Sequence, residues 1–115
     1  MHALIIEDEA LTAAAIEFVL RECGFESFDI ASSGLAAVAA AKRRCPDLIT
    51  ADVSLAAGDG IEAIRLICPF PSIPVIFITG RPSGEVRLQV PEYPVLTKPF
   101  SEQTLTYTVA ASLGR

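Results

Sequence analysis

The sequence predicts an α/β fold in which one parallel β-sheet carries helices on both faces. Short apolar runs rich in β-branched residues recur along the chain, and segments with helical spacing of apolar residues separate them. Runs that are apolar on every residue are typical of strands covered on both sides, as in parallel sheets. With 115 residues, 51% of them hydrophobic, the chain is expected to form one domain over residues 1–115.

Five strands are expected from the apolar runs. The clear ones are Ala3 to Ile6, Leu48 to Ala51, Val75 to Ile78 and Val95 to Leu96, and a weaker strand from Phe28 to Ala31 lies between the first two helices. Parallel strands joined by right-handed helical crossovers favour the flavodoxin-like strand order, 2-1-3-4-5.

Helices are expected between the strands, because the apolar residues there recur at spacings of three and four. The residues expected to share one face are Leu11, Ala15, Phe18 and Val19 in the first helix, Leu35, Val38 and Ala39 in the second, Ile61, Ile64 and Cys68 in the third, and Leu105, Val109 and Leu113 in the last. Gly24 is expected to end the first helix, and Ser33, Asp59 and Ser101 to cap the later ones. Prolines on both sides leave room for only about two turns of a fourth helix, around Glu85 to Gln89.

Composition excludes several classes of protein. The formal net charge is -5 at pH 7, whereas nucleic-acid binding depends on clustered lysines and arginines. The one basic run, Lys42 to Arg44, falls at a helix end, where cations complement the helix dipole. The sequence shows no secretory signal and no uninterrupted apolar run long enough to cross a bilayer. We therefore expect a cytoplasmic protein with neither nucleic acid nor a membrane as a direct partner.

Cysteine and histidine usage disfavours thiolate metal sites and nucleophilic enzyme sites. The three cysteines are odd in number and widely spaced, which fits neither a disulfide framework nor a zinc site. His2 is the only histidine. A Ser-His-Asp or Cys-His site would therefore have to be built around it, at the start of the chain.

Polar residues collect where the predicted strands end. Glu7 and Asp8 follow the first strand, Asp52 the third, Thr79 the fourth and Lys98 the fifth. In such sheets ligands bind at the carboxyl ends of the strands, where the strand order reverses. Three carboxylates in one crevice repel one another unless a cation compensates, and Mg²⁺ prefers oxygen ligands. With a lysine and a hydroxyl added, the pattern predicts a magnesium-dependent site for a phosphate ester or acyl phosphate.

Glu9 lies next to this acidic pair in the sequence. An acidic residue at the start of a helix is usually a favourable charge for the helix dipole, and we expect that role for Glu9. For Asp8 and Asp52 we favour the functional interpretation, since both are expected at the point where the strand order reverses.

Four segments, in this order, resemble the receiver domains of two-component response regulators. Leu4 to Glu9 resembles the family's first strand and acidic pair, and Asp52 to Leu55 with Asp59-Gly60 resembles its phosphoacceptor loop. Val75 to Gly80 matches the fourth strand with its switch threonine, and Leu96 to Phe100 matches the lysine-proline signature. The resemblance covers the whole chain and implies the (βα)5 receiver fold.

The resemblance implies a role for each of these residues. Asp52 would accept a phosphoryl group from a histidine kinase, or from a small donor such as acetyl phosphate. Asp8, Asp52 and the backbone carbonyl of Ser54 would hold Mg²⁺, with Glu7 acting through a water. Lys98 would pair with a phosphoryl oxygen.

Other positions of the family concern switching and the lifetime of the phosphoaspartate. By resemblance, Thr79 would move to hydrogen-bond a phosphoryl oxygen, and the Lys98 to Pro99 bond would be cis. Ser54, Gly80 and Arg81 occupy the positions that tune hydrolysis of the phosphoaspartate, Gly80 by leaving the phosphoryl group accessible.

Two departures from the family pattern concern loops and switching. Ala56 stands where the family commonly has proline, and Val95 where it often has a switch tyrosine or phenylalanine. The usual coupling of threonine and aromatic rotamers therefore cannot operate as such, and Tyr93 is the candidate substitute.

A subgroup is also indicated by the sequence around the fourth strand. Lys98 follows Thr79 a few residues sooner than in most receivers, as in the "FAT GUY" subgroup of alphaproteobacteria. Members are often single-domain regulators served by HWE or HisKA2-type histidine kinases. The match is partial, because Ile78 replaces an alanine and Arg81-Pro82 replaces the usual residues.

Three functions compete for this sequence. The leading one is a phosphorylation-dependent switch of a two-component phosphorelay, with no enzymatic activity beyond self-catalysed phosphotransfer and autodephosphorylation. Because no output segment follows Leu113, we expect its signal to leave through an unidentified protein partner or by phosphate-sink action. A phosphate-independent binding module is the alternative. A magnesium-dependent aspartyl-phosphate phosphatase ranks below both, because Ser54 stands where that family has its second acid.

Overall fold

The strands of the structure follow the apolar runs of the sequence. The structure is a computed structural model that describes residues 1–55, 58–67 and 73–114. The described residues form the strands β1 (His2–Ile6), β2 (Ser27–Ala31), β3 (Leu48–Asp52), β4 (Val75–Thr79) and β5 (Val95–Thr97). They make one parallel sheet in the order β2-β1-β3-β4-β5. The predicted fold class and strand order are therefore confirmed.

Helices alternate with the strands, and the predicted capping residues lie at the ends of their helices. They are α1 (Ala10–Glu22), α2 (Gly34–Arg43), α3 (Gly60–Ile67), α4 (Ser83–Gln89) and α5 (Glu102–Ser112). The side chains of Ser33, Asp59 and Ser101 each accept an N–H of the first helical turn at 2.7 to 3.1 Å. Gly24, just beyond α1, has φ +100°, a conformation that glycine adopts without strain.

The sheet has an apolar core on each face. Buried residues of α2, α3 and α4 pack on one face, and buried residues of α1 and α5 pack on the other. The predicted inward faces of α3 and α5 are confirmed, because Ile61, Ile64, Leu105 and Val109 are all buried. Cys68 lies outside the described residues.

The predicted inward face of α1 is wrong except for Val19. Leu11 and Phe18 are 88% and 54% exposed, and Ala15 is exposed as well. The residues that contact the sheet belong to a second apolar stripe, Ala13, Ile16, Val19 and Leu20. Because α1 is apolar on two sides, the helical period alone does not decide which side is buried.

The second helix shows the same error with another cause. Leu35 is 87% exposed and Ala39 is exposed, while the small residues Ala37 and Ala40 are buried against the sheet. Val38 is only partly buried. Small side chains let a helix lie close to its neighbours, so they occupy the tightly packed positions even where leucine is more hydrophobic.

The fourth helix is as short as expected, with seven residues. None of the helices within the described ranges combines the length and the apolar character that a membrane span requires.

Candidate functional site

Parallel register brings the ends of four strands to one edge of the sheet. Ile6 pairs with Ala51, so Glu7 and Asp52 follow at the same level of neighbouring strands. Carboxylate oxygens of Glu7, Asp8 and Asp52 all lie within 4.8 Å of one another. Glu7 and Asp52 are buried, whereas Asp8 is exposed at the mouth of the crevice. The three acids predicted to converge do so.

Lys98 reaches into this acidic group from the end of β5. Its ammonium donates to Glu7 Oε1 at 2.9 Å and to Asp52 Oδ2 at 3.1 Å. Glu9 Oε1 lies 3.6 Å from the same nitrogen. The Lys98 N–H donates to the Thr79 carbonyl at 2.8 Å, and the following bond to Pro99 is cis, as predicted.

The charges of Glu7 and Lys98 depend on each other. Burial raises the pKa of Glu7, and the hydrogen bond from Lys98 opposes this rise without cancelling it. For Lys98, burial favours a lower pKa, but the hydrogen bonds to Glu7 and Asp52 together raise its pKa. Lys98 is therefore positively charged at neutral pH and compensates part of the acidic group.

The donor set fits a hard divalent cation such as Mg²⁺. Within the described residues the cluster offers three carboxylates, and oxygen is the ligand atom that Mg²⁺ requires. The Ser54 N–H donates to Asp52 Oδ1 at 3.1 Å, which places the Ser54 main chain beside the same carboxylate. The residues predicted to hold Mg²⁺ are thus neighbours.

Gly60 lets the start of α3 lie against the end of β3. Its N–H donates to the Val53 carbonyl at 3.0 Å, and a Cβ atom at this position would overlap the main-chain carbonyl of Asp52. The sequence predicted a capping role for Asp59, but it identified Gly60 only as part of a motif and gave it no role. The Asp-Gly pair is visible in the sequence, but the reason for a glycine there is its contact with Asp52, eight positions earlier.

The residues after β4 border the crevice. Thr79 is fully buried, and its Oγ1 accepts the Arg81 N–H at 3.0 Å. At Gly80 an added Cβ would meet no atom within 4 Å, so this rim of the crevice is open. Arg81 is half-buried beside it.

Tyr93, the candidate substitute for the missing switch aromatic, packs against Phe77. Its ring packs edge to face against Phe77, with centroids 5.9 Å apart. Phe77 pairs with Val95 in the sheet, so Tyr93 and Thr79 lie on opposite sides of this pair along the strands. Val95 is 4% exposed and fills the core. Ala56, the other departure, lies outside the described residues.

His2 lies at the opposite end of the sheet and ties β1 to β2. Its Nδ1 is 2.7 Å from Ser27 Oγ, and its Nε2 is 3.0 Å from Asp29 Oδ2. A Ser-His-Asp chain of contacts therefore exists, although the sequence did not favour one. Arg44 donates to the same Ser27 hydroxyl at 2.9 Å, and His2 is 4% exposed. A substrate does not reach a ring buried in this way, so we assign the contacts to strand pairing.

Comparison with known proteins decides the family. Residues 3–110 match the family model described as the response regulator receiver domain. The chain belongs to this family. The receiver is 34% identical, over 96% of its length, to the phyllosphere-induced regulator PhyR of Methylorubrum extorquens and spans 42% of that protein. It spans half or less of the curated relatives it matches, for example 50% of RegX3 from Mycobacterium tuberculosis.

Two solved structures extend the comparison. The receiver domain of PhyR from Erythrobacter litoralis has a TM-score of 0.85 at 33% identity, covering 98% of this chain and 89% of that one. The receiver domain of the sensor kinase PA1611 from Pseudomonas aeruginosa has a TM-score of 0.83 at 28% identity, covering 99% and 98%. In the PA1611 structure a magnesium ion is coordinated in the active-site cleft.

Glu9 lies at the start of α1, as expected for a charge that complements the helix dipole, and it also lies near Lys98. Glu9 occupies the N-cap position of α1, but its side chain makes no capping hydrogen bond to the backbone. It reaches towards Lys98 instead. The sequence signal for this contact was weak, because acidic residues at helix starts are common.

Proposed function

We propose that this receiver is a phosphorylation-dependent switch in which Asp52 accepts the phosphoryl group. The observation that carries the proposal is the position of the Asp52 carboxylate, 3.1 Å from the Lys98 ammonium and beside Glu7 and Asp8. An Asp52 oxygen would bond to phosphorus while the bond from phosphorus to the donor's nitrogen or oxygen breaks. The leaving histidine or acetate keeps the electron pair of that bond.

The side chains around Asp52 suit this transfer. Lys98 would turn from Asp52 towards a phosphoryl oxygen. The Thr79 hydroxyl would leave the Arg81 N–H and donate a hydrogen bond to a second phosphoryl oxygen. Mg²⁺, held by Asp8, Asp52 and the Ser54 carbonyl with Glu7 acting through a water, would supply positive charge to the phosphoryl oxygens. Ser54, Gly80 and Arg81 would set how fast water hydrolyses the phosphoaspartate. We propose no enzymatic activity beyond this transfer and hydrolysis.

The surface beside the site favours a protein donor. A groove of about 550 Å³ adjoins Lys98 and is lined by Leu11, Ala15, Pro99 and Phe100 among others. Leu11 is 88% exposed on the outward side of α1, so an apolar side chain beside the site is available for contact with a protein donor. We propose a histidine kinase of the HWE or HisKA2 type as the donor, in the cytoplasm.

The output is proposed to be a protein contact or phosphate-sink action. A solved PhyR of Bartonella quintana, 35% identical to this receiver over 98% of its length, is described as an anti-anti-sigma factor. That description concerns a protein of which this chain covers 48%. It supports a protein partner as the recipient of the signal.

The test is the mass of the intact protein after treatment with acetyl phosphate and Mg²⁺. We expect one added phosphoryl group in the wild type and none in Asp52→Asn. Asp29→Asn is the control, because Asp29 lies beside His2 at the other end of the sheet and its loss should leave labelling intact. No adduct with any phosphoryl donor, and no binding of beryllofluoride, would favour the phosphate-independent binding module.

A further inference from the structure

A hydrogen bond connects the threonine of the site to the segment before α4. Thr79 Oγ1 accepts the Arg81 N–H at 3.0 Å, and α4 begins at Ser83. If the hydroxyl turns to a phosphoryl oxygen, the Arg81 N–H loses this acceptor. The position that holds an aromatic switch in many receivers is the buried Val95 here. A change at Thr79 therefore reaches α4 first through residues 80 to 82.

The fourth helix is held by few apolar contacts. Among the described side chains of α4 only Val86 is buried, and Val90 follows just beyond the helix. Leu88 is 86% exposed. A short helix with so little buried apolar surface belongs to the least stable part of a fold, and small changes in polar contacts can move it.

Arg87 ties this helix to the open edge of the sheet. Its Nη2 donates to the Val95 carbonyl at 3.2 Å. In β5 the Pro94 carbonyl and the Lys98 N–H bond to β4, and alternate residues of a strand bond to the same neighbour. The Val95 carbonyl therefore points away from β4. Since β5 is an edge strand, this carbonyl is one that the sheet leaves unpaired.

We infer that Arg87 is a latch, which holds α4 against β5 in the resting receiver and is released when Asp52 is phosphorylated. The inference rests on the proposed function and names its regulation. The last turn of α4 has a second polar contact of this kind, because Arg65 Nη2 donates to the Gln89 carbonyl at 3.0 Å. A contact that exists in only one of two conformations shifts the equilibrium between them by its own free energy. Removing Arg87 should therefore favour the activated conformation.

The experiment compares the affinity for beryllofluoride, with saturating Mg²⁺, of the wild type and three variants by NMR titration. Arg87→Met keeps helix propensity but removes the donor, and we expect its affinity to rise about threefold to tenfold. Arg87→Lys, which can still donate to the carbonyl, should lie closer to the wild type. Arg65→Met loses the corresponding bond at the end of α4 and should change the affinity less than Arg87→Met. An Arg87→Met affinity within twofold of the wild type, or an equal effect of Arg65→Met, would overturn the latch.

A second measurement keeps the latch testable if a variant fails to fold. In the wild-type protein we expect the hydrogen bond to Val95 to slow rotation of the Arg87 guanidinium, which arginine side-chain NMR detects. We expect that rotation to become fast after beryllofluoride is added, and a rotation that stays slow in the activated protein would contradict the latch. Failure of the wild type to bind beryllofluoride at all would instead reject the proposed function, so the two failures are distinguishable.

Discussion

Glu7 is a buried carboxylate of the candidate site whose ionised form makes the resting fold less stable. Its side chain is buried, and burial raises its pKa above the ordinary value of 4.5 even though Lys98 donates a hydrogen bond to it. The native protein therefore binds a proton at Glu7 more tightly than the unfolded chain does. It follows that the contribution of Glu7 to stability falls as the pH rises from about 4.5 through the pKa of the folded protein.

Replacing Glu7 by Gln should therefore stabilise the receiver at pH 7 in the absence of Mg²⁺. At pH 4, where the carboxyl group is largely protonated, the difference between Glu7→Gln and the wild type should shrink. Chemical unfolding at a series of pH values measures the stability difference at pH 7 and its decrease towards pH 4. Glu9→Gln is the matched control, because the Glu9 side chain is 68% exposed and its replacement should change the stability at pH 7 less. A Glu7→Gln variant less stable than the wild type at pH 7 would contradict the argument.

Thr50 offers a second test at the residue scale. Its hydroxyl is buried, and within the described residues it has no hydrogen-bond partner. In the sheet Thr50 pairs with Ile5 and Ile76. Thr50→Val removes the unsatisfied hydroxyl at nearly constant volume and should raise the free energy of unfolding by about 1 kcal/mol. Urea unfolding measures this increase, provided that the m-value is unchanged. The control is Thr97→Val, which lies at an exposed strand position and should change stability less.

Among the elements, strands were easier to predict than helix faces. Strands β1, β3 and β4 are buried on every residue, so a one-residue error in their predicted bounds changes nothing about their burial. Helix α1 has two apolar stripes, and only contact with the sheet decides that Ile16 is buried and Leu11 is not. In α2 the requirement for close packing selects Ala37 over Leu35. These choices depend on neighbours that lie far away in the sequence.

The close approach of α3 to the end of β3 depends on the absence of a side chain at Gly60. Because an added Cβ would overlap the Asp52 carbonyl, Gly60→Ala should lower the free energy of unfolding by about 2 kcal/mol or more. It should also weaken Mg²⁺ binding, since Asp52 would have to shift. Gly84→Ala in α4 is the control, because the added methyl group meets no atom within 4 Å there. The control should stabilise the protein by up to about 1 kcal/mol, and equal losses in both variants would contradict the role of Gly60.

At the scale of the whole molecule, the site follows from topology more than from any one motif. Parallel strands with aligned register bring Glu7, Asp52, Thr79 and Lys98 to one edge, although they are far apart in the sequence. For this reason, the sequence alone was enough to predict that acids and a lysine from separate segments lie close together. The bond from Arg87 to Val95 could not be predicted in the same way, because it joins a helix side chain to a main-chain carbonyl and requires no particular residue type at position 95.

Mg²⁺ should stabilise the whole receiver, because only the folded chain brings the three carboxylates within 4.8 Å. A ligand that binds only the folded state raises the free energy of unfolding with its concentration, by about 2.7 kcal/mol at a hundred times its Kd. Thermal unfolding over a Mg²⁺ series, after removal of divalent ions with a chelator, measures this. Asp8→Asn should abolish most of the gain, and it should itself fold, since Asp8 is exposed. Asp29→Asn should keep the gain. A wild-type unfolding midpoint that does not change with Mg²⁺, or one that rises equally in Asp8→Asn, would mean that this acidic group is not a metal site.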